Sequence, residues 1–268
     1  MKYNRVLTIA GSDSGGGAGI QADIKTISAC GCYAASAITA VTVQNTVGVE
    51  EVYPIPPEVI EGQIAAVLSD IGADAIKVGM MHSSNVIKVV ARQLDKFNIK
   101  NIVVDPVMVA TSGHRLIEQS AVEALMTHLL PRARVITPNI PEAEILLGKK
   151  ITDQSQLGYM ARQLSMDGRV SVLLKAGHLT EDRLTDVFYN AEEGETIELT
   201  SQRLDTPNTH GTGCTLSSAL AAMLARGMEL SDAVRAAKEY INSAIISGSQ
   251  FEIGEGHGPV DHFFAMRK

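Results

Sequence analysis

The chain of 268 residues has no tryptophan, only three cysteines and 4% aromatic residues. So few aromatic rings leave little material for a platform that stacks nucleobases. A formal net charge of −7 argues against a basic nucleic-acid surface. Cys30, Cys32 and Cys214 are odd in number and lack CxxC or CxxH spacing, so neither a disulfide framework nor a zinc site is indicated. No long hydrophobic run is present. The longest, Ala34 to Val43, is too short to span a bilayer and is interrupted by Ser36, Thr39 and Thr42. The opening MKYNRVLTIAGSDSGGG sets basic residues before an apolar run, but Val6 to Ala10 is too short for an export core and runs into Gly and Asp. These absences predict a cytoplasmic protein without a membrane or nucleic-acid partner.

Hydrophobic residues make up 45% and charged residues 20%, an ordinary globular balance that excludes a disordered chain. Strand-like and helix-like segments alternate. Strands are predicted at Val6–Ala10, Ala37–Val43, Ala75–Val78, Ile102–Val104, Val135–Thr137 and Val172–Leu174. Between them lie helical patterns through Ile20, Ile24 and Ile27, and over Pro57–Leu68, Ser83–Phe97, Ala121–Leu130, Glu142–Leu147 and Ser155–Ser165. Short β-branched runs joined by helices are crossover units, which predicts an α/β fold with a central, mostly parallel sheet covered by helices on both faces. Leu184–Tyr189 and Thr196–Leu204 flank a turn-like Asn190–Gly194 and predict an antiparallel hairpin at one edge. Helices at Thr215–Ala225 and Asp232–Ser247 close the chain, and without repeat or linker it reads as one domain over residues 1–268.

In an open α/β sheet, ligands bind beyond the carboxyl ends of the strands. The unusual residues fall there repeatedly: Gly11-Ser12-Asp13, Gln44-Asn45, Gly79-Met80, Asp105-Pro106, Asn139 and Lys175-Ala176-Gly177-His178. The glycine-rich stretch Gly11 to Gly19 has no Lys where a P-loop needs one, and Ile20 stands where a dinucleotide fingerprint needs its last Gly. What remains is a loop whose backbone can lie close to a small ligand. Asn208-Thr209-His210-Gly211-Thr212-Gly213-Cys214-Thr215 precedes an apolar helix. Amides at such a start, with small residues allowing close approach, suit a transferring phosphoryl group, although a plain Thr-capped helix has the same composition.

Gly211-Thr212-Gly213-Cys214 resembles the GxGD element of the ribokinase superfamily, with Cys where most members carry Asp, and Asn139 with Glu142 matches its NxxE element. The ordered set AGSDSGGGAGIQADIKT, VTVQNT, KVGM, DPVMVATSG, TPNIPEAE, LLKAGH and THGTGCT, running to GHGPVDHFF, is similar to the hydroxymethylpyrimidine/phosphomethylpyrimidine kinase family of thiamin biosynthesis. The resemblance implies a ribokinase-like fold and ATP-dependent phosphorylation of a pyrimidine alcohol and then of its monophosphate. A pyridoxal or pyridoxine kinase on the same scaffold is the alternative.

By that resemblance Gln44 reads the pyrimidine, its amide offering a donor beside an acceptor. Gly11, Ala18, Met80 and Val107 would line the ring pocket, with Asp23 facing the substrate. Lys175 would meet the ATP phosphates, together with Asn139, Thr209, His210, Gly211 and Gly213. Glu142, Asn139 and Asp105 would hold Mg²⁺ through its waters, since Mg²⁺ keeps much of its hydration. Catalysis would rest on Cys214, Lys175 and the Gly211-Thr212-Gly213 amides. A thiol at a helix start is expected to have a lowered pKa and to act partly as thiolate. His178 is expected to shape the nucleotide loop, and Ala110–His114 to form a flap. The resemblance also implies a homodimer and places the adenine against the last two helices.

Overall fold

The computed structural model describes residues 2–108, 119–177 and 183–267. Nine strands form one sheet in the order β3-β2-β1-β4-β5-β6-β7-β8-β9. They are β1 (Arg5–Asp13), β2 (Tyr33–Gln44), β3 (Val49–Pro54), β4 (Ala75–Val78), β5 (Ile102–Val104), β6 (Val135–Ile136), β7 (Ser171–Leu174), β8 (Arg183–Asn190) and β9 (Glu195–Gln202). From β2 to β7 every pairing is parallel. The β7–β8 and β8–β9 pairings are antiparallel, as the hairpin reading expects.

Sequence reading missed β3, which pairs antiparallel with β2 at the opposite edge, Val41 facing Tyr53 and Thr42 facing Val52. Its residues alternate poorly in hydrophobicity and stay half or fully exposed, so no buried-face pattern announces it. The structure also lengthens β2, which begins at Tyr33 rather than Ala37.

The strands' side chains alternate between two cores. Leu7, Ile9, Ile76, Val78, Ile102, Val104, Ile136, Val172 and Leu174 face one. That layer is covered by α2 (Pro57–Asp70), α3 (Ser84–Phe97), α4 (Gln119–Ala124), α5 (Ile140–Leu147) and α6 (Leu157–Leu164). Val6, Ala75, Val103, Val135 and Leu173 face the other. There α1 (Gly19–Ala29), α7 (Thr212–Ala225) and α8 (Leu230–Gly248) pack. Burial on both faces explains why the parallel strands read as continuous apolar runs.

Local chemistry fixes the helix ends. Ser83 caps α3 by accepting from the Val86 N–H, and Asn98 ends it in the left-handed conformation at φ 51°. The predicted helix over Ala121–Leu130 is α4 followed by a wider turn, Leu125–Leu129, and a tight turn, Leu130–Arg132, that accommodates Pro131. Among the described residues no helix is long and apolar enough to cross a membrane.

Candidate active site

The loops beyond the carboxyl ends of the parallel strands surround a cleft of about 960 Å³. Gly11, Ala18, Gln44, Met80, Asp105, Val107, Asn139, Glu142, Lys175, Thr209, His210 and the Gly211–Cys214 segment all line it. Residues more than 200 positions apart in sequence therefore meet because each follows a strand, or enters a helix, at the same edge.

The two glycine-rich segments are locked together. Gly211 sits at φ +80°, and a Cβ there would lie 1.8 Å from the Gly17 carbonyl oxygen, so only glycine fits both the conformation and the contact. Asp13 organises the first loop: Oδ1 accepts the Gly15 N–H at 2.8 Å, and Oδ2 accepts those of Gly17 and Ala18 at 3.1 and 2.8 Å. Burial pushes this carboxyl up, but His210 and the loop amides outweigh it and hold it below the usual carboxylate range. The second loop opens α7. Its N-cap residue, Gly211, has no side chain to cap it, and Gly211, Thr212, Gly213 and Cys214 border the cleft. Thr212 closes the turn by donating from its hydroxyl to the Thr209 carbonyl at 2.6 Å.

Lys175 lies beside this helix start. A methyl group on Gly213 would be 3.4 Å from both Lys175 Nζ and Asp105 Oδ2. Lys175 Nζ donates to Asp105 Oδ1 at 3.0 Å, and the Thr137 hydroxyl donates to the same oxygen at 2.9 Å. Burial pushes Lys175 down, but Asp105 and Glu142 outweigh it, and the ammonium stays charged. Burial likewise pushes Asp105 up, while Lys175 and Lys77 hold it ionised.

Glu142 differs. It forms a capping box with Asn139, each side chain accepting the other's backbone N–H, at 2.8 and 2.9 Å. Burial, with Asp105 adding to it against Lys175, pushes its carboxyl up to about 7. Among the described residues no group of three or more His, Cys, Asp or Glu could cage an ion. A hard cation held by few carboxylates and many waters fits this donor set: Glu142 is a buried carboxylate short of positive charge, next to an ionised Asp105.

Three expectations need correction. Asp23 does not face the cleft. It is fully buried, and its oxygens are taken by Thr8 at 2.6 Å, Ser218 at 2.7 Å and Lys77 at 2.9 Å. The Cys214 thiol is not acidified. Burial pushes it up to about 11; the Lys77 ammonium and, more weakly, the Gly19 N–H pull the other way, while Asp23 and Asp105 reinforce the rise. The His210 ring points away from the phosphate end, into the gap between Asp13 (2.9 Å) and Gln44 (3.4 Å).

Lys77 was overlooked, although a Lys inside the apolar strand Ala75–Val78 is a visible anomaly. At the other end of the cleft, Leu204, Ile241, Ile245 and Ile246 form an apolar wall. Asp186 braces it by accepting from Lys238 Nζ at 2.7 Å and from the Ala176 N–H at 2.8 Å. The wall combines α8, one of the two helices against which the resemblance sets the adenine, with residues 201–204, which no motif in the sequence singles out. The Ala110–His114 flap and His178 lie outside the described residues.

A doubly covered parallel sheet, with a lysine and a glycine-flanked helix start at its carboxyl edge, defines a phosphoryl-transfer fold of the ribokinase type. The family model described as Phosphomethylpyrimidine kinase matches residues 13–261. The chain belongs to that family. It is 49% identical over 96% of its length to a Hydroxymethylpyrimidine/phosphomethylpyrimidine kinase of Rhizobium meliloti, 96% of which is covered. It is 45% identical to that of Escherichia coli, over 99% of each chain. A thiamine biosynthesis bifunctional protein of Geobacter sulfurreducens matches at 46% identity over 97% of this chain, which spans 52% of that longer protein. Among solved structures, an ADP complex of Bacillus subtilis pyridoxal kinase superposes with a TM-score of 0.91 at 36% identity, over all of both chains. A phosphomethylpyrimidine kinase from Clostridium difficile 630 superposes with a TM-score of 0.79 at 43% identity, over 91% of this chain and all of the other.

Proposed function

We propose that this chain, acting as one kinase domain, transfers the terminal phosphoryl group of ATP to 4-amino-5-hydroxymethyl-2-methylpyrimidine and then to the resulting monophosphate. The observation that carries this reading is one continuous cleft. It runs from Gln44 and Met80, past Cys214, to the α7 start and Lys175, and on to the apolar wall of α8. The ring would lie on Gln44, Met80, Val107 and the Gly11 and Ala18 backbone. The α7 amides and Lys175 would receive the phosphates, stabilising charge as the phosphoryl passes. Thr209 would sit at the phosphate end, and the adenine against Leu204 and Ile245. Mg²⁺ would be held through waters by Glu142 and Asp105 beside Asn139, supplying positive charge to the phosphate oxygens.

With its pKa near 11, Cys214 acts as a neutral thiol that orients the acceptor. In a loose transfer the hydroxyl proton leaves late, and the phosphoryl oxygens can take it. The second acceptor, a phosphate, is already largely ionised and needs no base. A neutral group at this position therefore tolerates both acceptors.

The deciding experiment is phosphorus NMR after incubation of the pyrimidine alcohol with excess Mg²⁺-ATP. The expected product is a diphosphate ester. Turnover of pyridoxal with no pyrimidine diphosphate would move the assignment to the pyridoxal kinases, to which the fold is also close. The proposal includes a cytoplasmic homodimer. Exposed Val41, Val43 and Tyr53 on the β2–β3 ribbon support an apolar contact between copies, and light scattering tests it.

A further inference from the structure

Gln44 ends β2 at the cleft, and two polar groups flank its amide. Its Nε2 lies 3.4 Å from His210 Nε2, and its Oε1 lies 3.1 Å from Thr42 Oγ1. Asp13 Oδ2 is 2.9 Å from His210 Nε2 and already accepts two backbone N–H groups, while Oδ1 accepts a third. A carboxylate so surrounded is an acceptor, so His210 Nε2 carries the hydrogen. Its one N–H goes to Asp13, so the nitrogen has no lone pair for the amide NH₂ 3.4 Å away, whereas an amide oxygen in that place takes a second share of the same N–H as a three-centre bond. Thr42 has a single hydroxyl hydrogen, and its 2.8 Å bond to the Ser12 carbonyl takes it. The Thr42 lone pairs then face the amide oxygen, acceptor against acceptor. A half-turn of the amide about its last bond exchanges two atoms of nearly equal size and cures both mismatches together.

We infer that Asp13, His210 and Thr42 form a latch that fixes the Gln44 amide with its oxygen toward His210 and its nitrogen toward Thr42. His210 and Thr42 are positioning residues, since neither reaches the reacting atoms. The latch leaves one N–H and one lone pair of the amide for a ligand, in a fixed lateral order. A ring acceptor must lie on the Thr42 side and an exocyclic donor on the His210 side. A 4-aminopyrimidine offers that order. Its 4-oxo counterpart, with a ring N–H beside a carbonyl, offers the reverse, and it cannot turn over while its hydroxymethyl arm points at α7. The inference rests on the ring-reading role proposed above for Gln44 and adds to it the groups that choose between donor–acceptor orders. Because Asp13 and His210 come from the two glycine-rich segments, the close contact of Gly17 with Gly211 also sets the selectivity of the ring site.

The test is the ratio of dissociation constants for 4-amino-5-hydroxymethyl-2-methylpyrimidine and 5-hydroxymethyl-2-methylpyrimidin-4-one, measured by calorimetry without nucleotide. A site whose buried polar groups are matched to one ring rejects the other. In Thr42→Val, nearly the same shape without the hydroxyl, and in His210→Phe, the amide can face either way. The preference for the amino ring should fall about tenfold, the scale of one hydrogen bond. Thr42→Ser should restore it, and affinity for a non-hydrolysable ATP analogue should hold in all three. Simple loosening of the loop would weaken both rings alike and leave the ratio unmoved. If His210→Phe does not fold, Thr42→Val with its Ser rescue decides. A wild-type ratio in Thr42→Val, with an altered one in Gln44→Leu, overturns the latch alone. A wild-type ratio in Gln44→Leu overturns the ring-reading role and the latch with it.

Discussion

Lys77 Nζ lies 2.9 Å from both carboxylate oxygens of Asp23, an ion pair with no exposed side-chain surface, close enough to the first turn of α7 to act on the Cys214 thiol. Thr8 and Ser218 each donate to one of those oxygens, so the carboxylate is fully occupied. Burial alone would push the Lys77 ammonium down, but Asp23 outweighs it and holds it charged. A buried pair of this kind costs most when half of it is removed, because the remaining charge is stranded. Lys77→Met is therefore expected to lose about 3–5 kcal/mol of unfolding free energy. The double variant Lys77→Met/Asp23→Leu should lose distinctly less. Urea denaturation of the two proteins, with unchanged slope, measures the difference; a double variant weaker than the single one would show that the pair stabilises outright.

Cys214 sits against this pair, and its thiol is pushed up to about 11. Alkylation by iodoacetamide should accordingly be slow at neutral pH and climb until about pH 11, beyond the range of an ordinary thiol. Cys214→Asp would add a third carboxylate near Asp23 and Asp105. The charge repels an incoming phosphate but not an alcohol. Its kcat/KM for the monophosphate should fall about tenfold further than that for the pyrimidine alcohol, as one close like-charge contact would cause. Equal losses with the two acceptors would remove charge as the reason for a thiol at this position.

The central sheet was legible because burial on both faces leaves apolar runs, and the cleft because Gly11, Gln44, Asp105, Asn139 and Lys175 all lie at or just beyond the carboxyl ends of strands at one edge. β3 was not legible, since an exposed edge strand has no face to bury. Asp23 was expected to face the substrate because the helix that carries it follows the glycine-rich loop, and only the fold reveals that Lys77, Thr8 and Ser218 converge on it from three elements. The thiol pKa was misread for the same reason. Position at a helix start is visible in sequence, whereas the burial that overrides it is a property of packing.

Gly211 joins the two glycine-rich loops, so a methyl group there must displace the Gly17 carbonyl and also adopt a strained φ of +80°. Gly211→Ala should reduce kcat/KM at least 100-fold, on the order of 3 kcal/mol of transition-state stabilisation, because the shift moves the amides that receive the phosphates. Gly62, inside α2, has nothing within 4 Å of the added atom. Gly62→Ala should instead raise stability by about 0.5–1 kcal/mol. Steady-state kinetics of the first variant and thermal unfolding of both separate a local clash from a general intolerance of added methyl groups.

His262 is buried, its Nε2 has no hydrogen-bond partner among the described residues, and burial pushes its pKa down to about 4 from 6.5. Lys25 and His210 push the same way, and Asp261 opposes them. The folded pKa lies below the unfolded one, so on acidification the unfolded chain takes up the proton first. The stability associated with a neutral His262 is thus complete above about pH 6.5 and drains away as pH falls toward 4, by about 3 kcal/mol in all. His262→Gln, which cannot take up a proton, should flatten the fall in urea midpoint across that window while leaving the neutral-pH midpoint within about 1 kcal/mol of wild type. Asp13 titrates below this window and keeps its acid limb in both proteins, and Glu142, pushed up to about 7, contributes alike to both, so the difference between them isolates His262. A midpoint that drops as steeply between those pH values in His262→Gln as in wild type would place the acid sensitivity elsewhere.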